Sequence, residues 1–250
     1  MTSARAIARL VEAGLSERDA AVVVDHLVAA DRMGRTGHGL ARIPWLEGLL
    51  AEGVDPSGRP RRIERSDGLD RWHGGGALGY LTLAAICEGI LADPPAGARV
   101  VVAEACFPTG VLGAWARGLA EAGLVAVVTA TSPRRLPHPE GGPALTGTNP
   151  IAIAIPSSDG RPVVADVSMG AVTHGDVLTG AARPDELVPF GGPQAHKAFA
   201  LAAGVELLVS ALAGPEHGAL VIVGRPEHDP VPGFRALAEG RRLPGDRPRV

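Results

Sequence analysis

The run Leu124-Val125-Ala126-Val127-Val128-Thr129 constrains this chain most. It is uncharged, rich in β-branched residues and short, and Gly123 stands before it as the C′ residue of a predicted helix over 111–122. Such a run reads as a strand buried on both faces, which needs cover above and below. Similar runs recur at Ala98–Ala103, Ile151–Ile155, Pro162–Asp166 and Ala219–Val223, with the turn Ser157-Ser158-Asp159-Gly160 between the second and third. Apolar periodicity predicts helices over 4–13, 17–33 (Ser16 as N-cap), 40–52, 78–91, 169–180 and 195–213. Residues 60–71 are charged and read as a solvated connection with a short strand near Arg62–Glu64, and the tail after Gly224 reads as weakly structured. No repeat or clean linker divides the chain. Residues 1–250 are therefore expected to form one unit, with a helical part over about 1–55 packed on an α/β core.

Composition narrows the function. Apolar residues make up 46% of the chain and aromatics only 3%, so the core must be built from Ala, Val, Leu and Ile. A net charge of −3 without a basic stripe argues against nucleic acid as a partner. The first residues lead straight into an amphipathic helix with no signal-peptide core, and no apolar run is expected to span a bilayer. Cys87 and Cys106 lack metal spacing, so the expectation is a reduced, cytoplasmic protein with no membrane partner and no metal.

Gly74-Gly75-Gly76-Ala77-Leu78-Gly79 matches GxGxxG. A dinucleotide fingerprint needs a buried strand before it and an acidic ribose ligand after it. The polar residues 67–73 are not expected to make that strand, so the glycines read as a tight turn into a helix. There is no GxSxG elbow. His26 lies on the polar side of its predicted helix and is expected to be solvated, whereas His38 stands between Gly37 and Gly39 with Arg42 four residues on. A guanidinium can fork a carboxylate while an imidazole moves a proton near neutral pH. A loop histidine capping a helix, beside a solvated arginine, explains the same spacing. Gly147-Thr148-Asn149-Pro150 fits either a site or an ordinary turn, and Asp166 either a group at a strand end or an N-cap. The Pro- and Gly-rich loop 132–149 is long enough to suggest a functional role. His196-Lys197 opens the longest apolar helix, where a lysine opposes the dipole and suits an anionic partner.

Taken in order, these segments resemble the malate/L-lactate dehydrogenase family, which includes sulfolactate, ureidoglycolate and 2,3-diketogulonate enzymes. Gly37-His38-Gly39-Leu40-Ala41-Arg42-Ile43-Pro44 is similar to its Ser-His-Gly-Val-x-Arg-x-Pro segment. Leu145–Pro150 is similar to Leu-Gly-Thr-Asn-Pro, Val164–Gly175 to the 2,3-diketogulonate reductase branch, and Leu243-Pro244-Gly245-Asp246 to the closing Leu-Pro-Gly-Glu/His. The resemblance implies a mixed α/β fold with flanking helices, of the L-sulfolactate dehydrogenase kind and not Rossmann, in a homodimer. It implies hydride transfer between NADH or NADPH and a small carboxylate substrate: a 2-oxo acid, its 2-hydroxy acid, or a cyclic imine carboxylate. It assigns His38 as proton donor and acceptor, with Arg42, Thr148 and Asp166 beside it. Pro162, Val163, Val164, Ala165, Asp166, Val167, Ser168, His196, Lys197, Gly245 and Asp246 would line the cofactor. The chain departs from the family at Gly37 (Ser), at Cys106-Phe107-Pro108-Thr109 (an Asn-His pair) and in shortened segments near 178–189 and before the closing Pro-Gly. The alternative these departures leave is a metabolite-binding or biosynthetic protein without redox activity.

Overall fold

A computed structural model describes residues 1–66 and 68–246. Three helices lead: α1 (Ser3–Glu12), α2 (Glu17–Arg32) and α3 (Ile43–Ala51). Ser16 caps α2 as its sequence predicts, accepting from the Asp19 N–H at 3.1 Å. Their apolar faces (Leu10, Val24, Leu27, Ile43, Leu46) close over Leu78, Tyr80 and Leu81 at the start of α4 (Gly79–Ala92).

The core is a seven-stranded mixed sheet built from β1 (Arg61–Ser66), β2 (Leu69–His73), β3 (Ala98–Glu104), β4 (Val125–Ala130), β7 (Ile151–Ile155), β8 (Val163–Val167) and β9 (Ala219–Gly224). Its order is β1-β2-β3-β9-β4-β7-β8, and only β2 and β3 run parallel. A separate two-stranded ribbon, β5 (Leu136–Pro137) and β6 (Ala144–Thr146), lies in the long loop. Period-two alternation assigns the faces. Val101, Ala103, Val221 and Val223 point to α4 and α5 (Leu112–Glu121), while Val102 and Leu220 point to α7 (Ala195–Ala213). Small residues (Ala116, Ala126, Ala152, Ala154) let these layers approach in a core almost free of aromatics.

Several sequence expectations need correction. Residues 60–71 do not form a loose connection: β1 and β2 make an antiparallel hairpin, and β2-α4-β3 is a complete parallel unit. A strand therefore does precede the GxGxxG segment. The turn nevertheless has no room for a pyrophosphate. A side chain at Gly74 would strike the Ala105 carbonyl, one at Gly75 the Arg59 carbonyl, and one at Gly79 the Phe107 amide. The glycines serve close backbone packing within the protein. The helix expected over 169–180 shrinks to α6 (His174–Leu178), because Gly170 is drawn into a bridge with Pro189. The tail carries a helix, α8 (Val231–Leu237). Gly192–Ala213 is, by length and composition, apolar enough to cross a membrane, contrary to the expectation. Here one side of it packs on the sheet through Val205 and Val209, while Leu201, Leu207 and Leu208 face outward.

Candidate active site

At the end of the sheet where β3, β4 and β8 finish, a cavity of about 210 Å³ opens between the strand ends and residues 34–45. His38, Arg42, Thr148, Asp166 and Ser168 all line it. Three segments far apart in sequence thus bring the predicted catalytic residues together.

The His38 segment forms two short 3₁₀ turns, Thr36–His38 and Leu40–Arg42, interrupted at Gly39, so the helix expected from 40 becomes α-helical only at Ile43. Asp31 of α2 accepts the Leu40 N–H at 3.0 Å and occupies the space a Gly39 side chain would need. A Cβ at Gly37 would lie 2.8 Å from the Gly175 carbonyl carbon and from Asp176 Oδ1. The glycines beside His38 therefore admit neighbouring protein groups rather than substrate, and the departure at Gly37 has a steric reason. Arg42 is buried, donates from Nε to the Gly37 carbonyl at 2.8 Å and lies 4.9 Å over the Trp45 ring. Its terminal nitrogens remain for a ligand. Among the described residues no carboxylate lies within 4 Å of the Arg42 guanidinium (all ion pairs found involve other groups).

Burial, reinforced by the Arg42 charge, pushes His38 down to about 3, with Asp176 opposing. His38 is therefore neutral at pH 7. Asp166 Oδ2 accepts the Gly113 N–H at 3.0 Å and so caps α5 from across the sheet; burial raises its carboxyl above the ordinary value. Asp166 is therefore not the N-cap of a helix that follows it, since it lies within β8 and the next helix is capped by Thr173; its carboxylate instead takes an N–H in the first turn of α5. The Thr148 carbonyl accepts the Met169 N–H at 2.8 Å, joining the Gly147–Pro150 loop to the segment after β8. That loop is anchored from below, since Asn149 Nδ2 donates to Glu206 Oε2 of α7 at 2.6 Å and to the Ala202 carbonyl at 3.0 Å.

The cofactor set divides. Pro162, Gly245 and Asp246 line a second cleft of about 750 Å³ near the opposite end of β8, together with Arg117, Arg161 and Arg242. β8 is an edge strand of five residues, about 16 Å at ~3.3 Å per residue. It runs from that cleft to Asp166 and Ser168 in the His38 cavity. An anionic dinucleotide laid along this edge would meet arginines at one end and His38 at the other, so these residues fit the group. Val164 turns its side chain into the core and gives its N–H to the Pro244 carbonyl at 3.1 Å, leaving no donor there for a cofactor, whereas Val163, Ala165 and Val167 are open to different degrees. The Asp246 carboxylate is committed to the Leu243 N–H and to Arg235. His196 and Lys197 stand exposed at the start of α7 and line neither space.

Sequence reasoning missed Arg35, Arg135, Trp45 and His174, all in the cavity wall. His174 is held down at about 4 by burial and by the charges of Arg135 and Arg42. Arg135 had one available signal, its place in the long loop flagged as functional. His26 is not solvated. It is buried against Trp115 (4.3 Å, stacked) and Tyr80, and Nε2 accepts the Val111 N–H at 2.9 Å behind the cavity wall.

Residues 2–187 match the family described as malate/L-lactate dehydrogenase. The chain is 32% identical over 229 residues to a Δ1-pyrroline-2-carboxylate/Δ1-piperideine-2-carboxylate reductase of Pseudomonas putida, covering 80% of this chain and 66% of that protein. It is 33% identical over 193 residues to a (2R)-3-sulfolactate dehydrogenase (NADP(+)) of Chromohalobacter salexigens, covering 74% and 56%. The chain spans about half to two thirds of the length of such curated relatives. A crystal structure of the Δ1-piperideine-2-carboxylate reductase of Pseudomonas syringae pvar. tomato superposes with a TM-score of 0.87 at 28% identity, covering 98% of this chain and 89% of that one. With its non-Rossmann mixed sheet and its His38 cavity, the chain belongs to the malate/L-lactate dehydrogenase family.

Proposed function

We propose that residues 1–250 act as one NAD(P)H-dependent oxidoreductase unit that reduces a 2-oxo acid or a cyclic imine carboxylate, or oxidises the 2-hydroxy acid. The observation that carries this reading is the convergence of His38, Arg42, Thr148 and Asp166 on one small cavity at the end of β8. NADH or NADPH, when bound, supplies or accepts the hydride. Residues of the β8 edge from Pro162 to Ser168, with Gly245 and Asp246, would hold it.

Arg42 binds the substrate carboxylate through its terminal nitrogens and fixes which face of the neighbouring carbon is presented. Neutral His38 is ready to take the hydroxyl proton in the oxidising direction. In the reducing direction it must first gain a proton. A carboxylate arriving on Arg42 offsets the lesser of the two effects that hold His38 low, burial being the larger, so His38 takes its proton from solvent more readily with substrate bound and passes it to the carbonyl oxygen or imine nitrogen.

A homodimer is part of the proposal, supported by the outward apolar face of α7 at Leu201, Leu207 and Leu208. Through such an interface His196 and Lys197 would reach a cofactor on the second copy. The cytoplasmic assignment rests on the two free cysteines, Cys87 and Cys106.

The test is His38→Ala assayed for NAD(P)H consumption with 2-oxo acids and cyclic imine carboxylates. Its kcat/KM should fall about 100- to 10,000-fold, with nicotinamide fluorescence on binding NADH or NADPH retained. Full turnover in the variant, or a wild-type chain that binds neither cofactor, would overturn the proposal.

A further inference from the structure

We propose that His26 is a positioning residue: from behind the cavity it holds the Thr109–Val111 wall in place, so that α2 sets the gap in which substrate and cofactor meet at His38. The link to turnover rests on the oxidoreductase reading above; the holding itself does not.

Thr109, Gly110 and Val111 line the cavity on the side of the strand ends, just ahead of α5. Val111 is the N-cap residue of that helix, and its apolar side chain caps nothing. The first N–H groups of a helix have no partner within it. Here side chains from other elements take them. His26 Nε2 accepts the Val111 N–H at 2.9 Å, and Asp166 accepts the Gly113 N–H. The Thr109 carbonyl is held as well, by the Trp115 Nε1–H at 2.8 Å, and Trp115 stacks on His26 with 4.3 Å between ring centres. Between these two anchors Gly110 turns with φ +71°, and a Cβ there would lie 2.3 Å from His26 Nε2 and 2.4 Å from the Tyr80 ring. The wall is thus in direct contact with the imidazole.

An imidazolium has no lone pair left to accept such a bond. Burial against Trp115 and Tyr80 keeps His26 neutral at pH 7, so Nε2 remains an acceptor and the ring proton sits on Nδ1.

The other side of the cavity hangs from the same helix. Asp31 of α2 accepts the Leu40 N–H at 3.0 Å, between His38 and Arg42. Residues 26 and 31 lie about 7.5 Å apart along the helix axis. One helix therefore grips both the His38 turn and the Thr109–Val111 wall, through two side chains that do not themselves line the cavity. Without His26 the wall loses its hold on α2, and a small displacement of groups that orient a reaction is costly.

Three variants and two measurements test this. His26→Leu removes the acceptor but keeps an apolar filler, His26→Gln restores an acceptor, and Val24→Ala weakens the same helix from its packed face. Amide hydrogen exchange in residues 107–113 of the cofactor-free chain should quicken in His26→Leu and keep its wild-type rate in His26→Gln and Val24→Ala. At a temperature where all the variants are folded, kcat/KM for NAD(P)H-dependent reduction of 2-oxo acids and cyclic imine carboxylates should fall about 10- to 100-fold in His26→Leu. It should stay close to wild type in the other two. Unchanged exchange or unchanged turnover in His26→Leu, a His26→Gln that behaves like His26→Leu, or an equal fall in Val24→Ala would each overturn the proposal. A wild-type chain that reduces none of these substrates would sink the oxidoreductase reading, and the exchange rates would then decide the holding role alone.

Discussion

Gly37→Ala tests how tightly the His38 turn is held. Gly37 lies in a 3₁₀ turn with ordinary negative φ, a conformation alanine adopts freely, so the backbone alone would gain about 0.4–1 kcal/mol from the substitution. The methyl group, however, would sit 2.8 Å from the Gly175 carbonyl carbon and 2.9 Å from the Asp176 amide nitrogen. These are backbone atoms, held by the α6 capping box in which Asp176 Oδ2 accepts the Thr173 N–H at 2.8 Å. They cannot swing aside as a side-chain tip would. Overpacking of this kind costs about 1–3 kcal/mol, which outweighs the entropic gain. The net loss is about 1–2 kcal/mol, or about 2–8 °C in Tm for a chain of this size.

The same displacement separates His38 and Arg42 from α6, since Arg42 is bonded to the Gly37 carbonyl that must move. Misplacement approaching 1 Å costs about 100-fold in turnover. Thermal unfolding and steady-state reduction of 2-oxo acids and cyclic imine carboxylates, measured on the same preparations, give both numbers. An alanine variant with unchanged or raised Tm and unchanged kcat/KM would refute the close backbone packing as the reason for glycine here.

Two further outcomes follow from buried polar groups. Glu206→Ala removes the anchor under Asn149 and Gly147 and should cost about 1.5–3 kcal/mol, read by chemical denaturation, with KM rising because Thr148 loosens; a variant of wild-type stability and KM would contradict the anchoring role. His26, held near 3 by burial, is neutral when folded and protonates near 6.5 when unfolded, so the unfolded chain binds more protons as pH falls through that window. Stability should therefore decline between about pH 6.5 and 3, by about 3 kcal/mol from this group at pH 4.5, and His26→Gln should flatten that slope in pH-dependent denaturation; an identical slope in the variant would show that His26 does not carry it.

Legibility in the sequence followed the range of the interactions involved. Ile151–Ile155 and Ala195–Ala213 were read to the residue, because apolar pattern and flanking turn residues decide such elements locally. β2 was not legible: Leu69-Asp70-Arg71-Trp72-His73 looks polar, and it is a strand because β1 on one side and β3 on the other complete its ladder. His26 failed for the same reason. Its helix face looks polar until Trp115 and the Val111 N–H arrive from α5 and the residues before it, turning a surface position into a buried acceptor.

The site shows the limit more sharply. Spacing alone put Arg42 four residues after His38, and only the fold shows how the two are held: Arg42 reaches back to the Gly37 carbonyl across a broken 3₁₀ turn. What makes the pair a site is its enclosure by Thr148, Asp166 and Arg135, which arrive from three other segments. The resemblance supplied the first two of these by motif. It did not supply Arg135, which lies outside the motifs quoted for it: an arginine in a long loop is ordinary until the fold sets it in the same wall as buried Arg42.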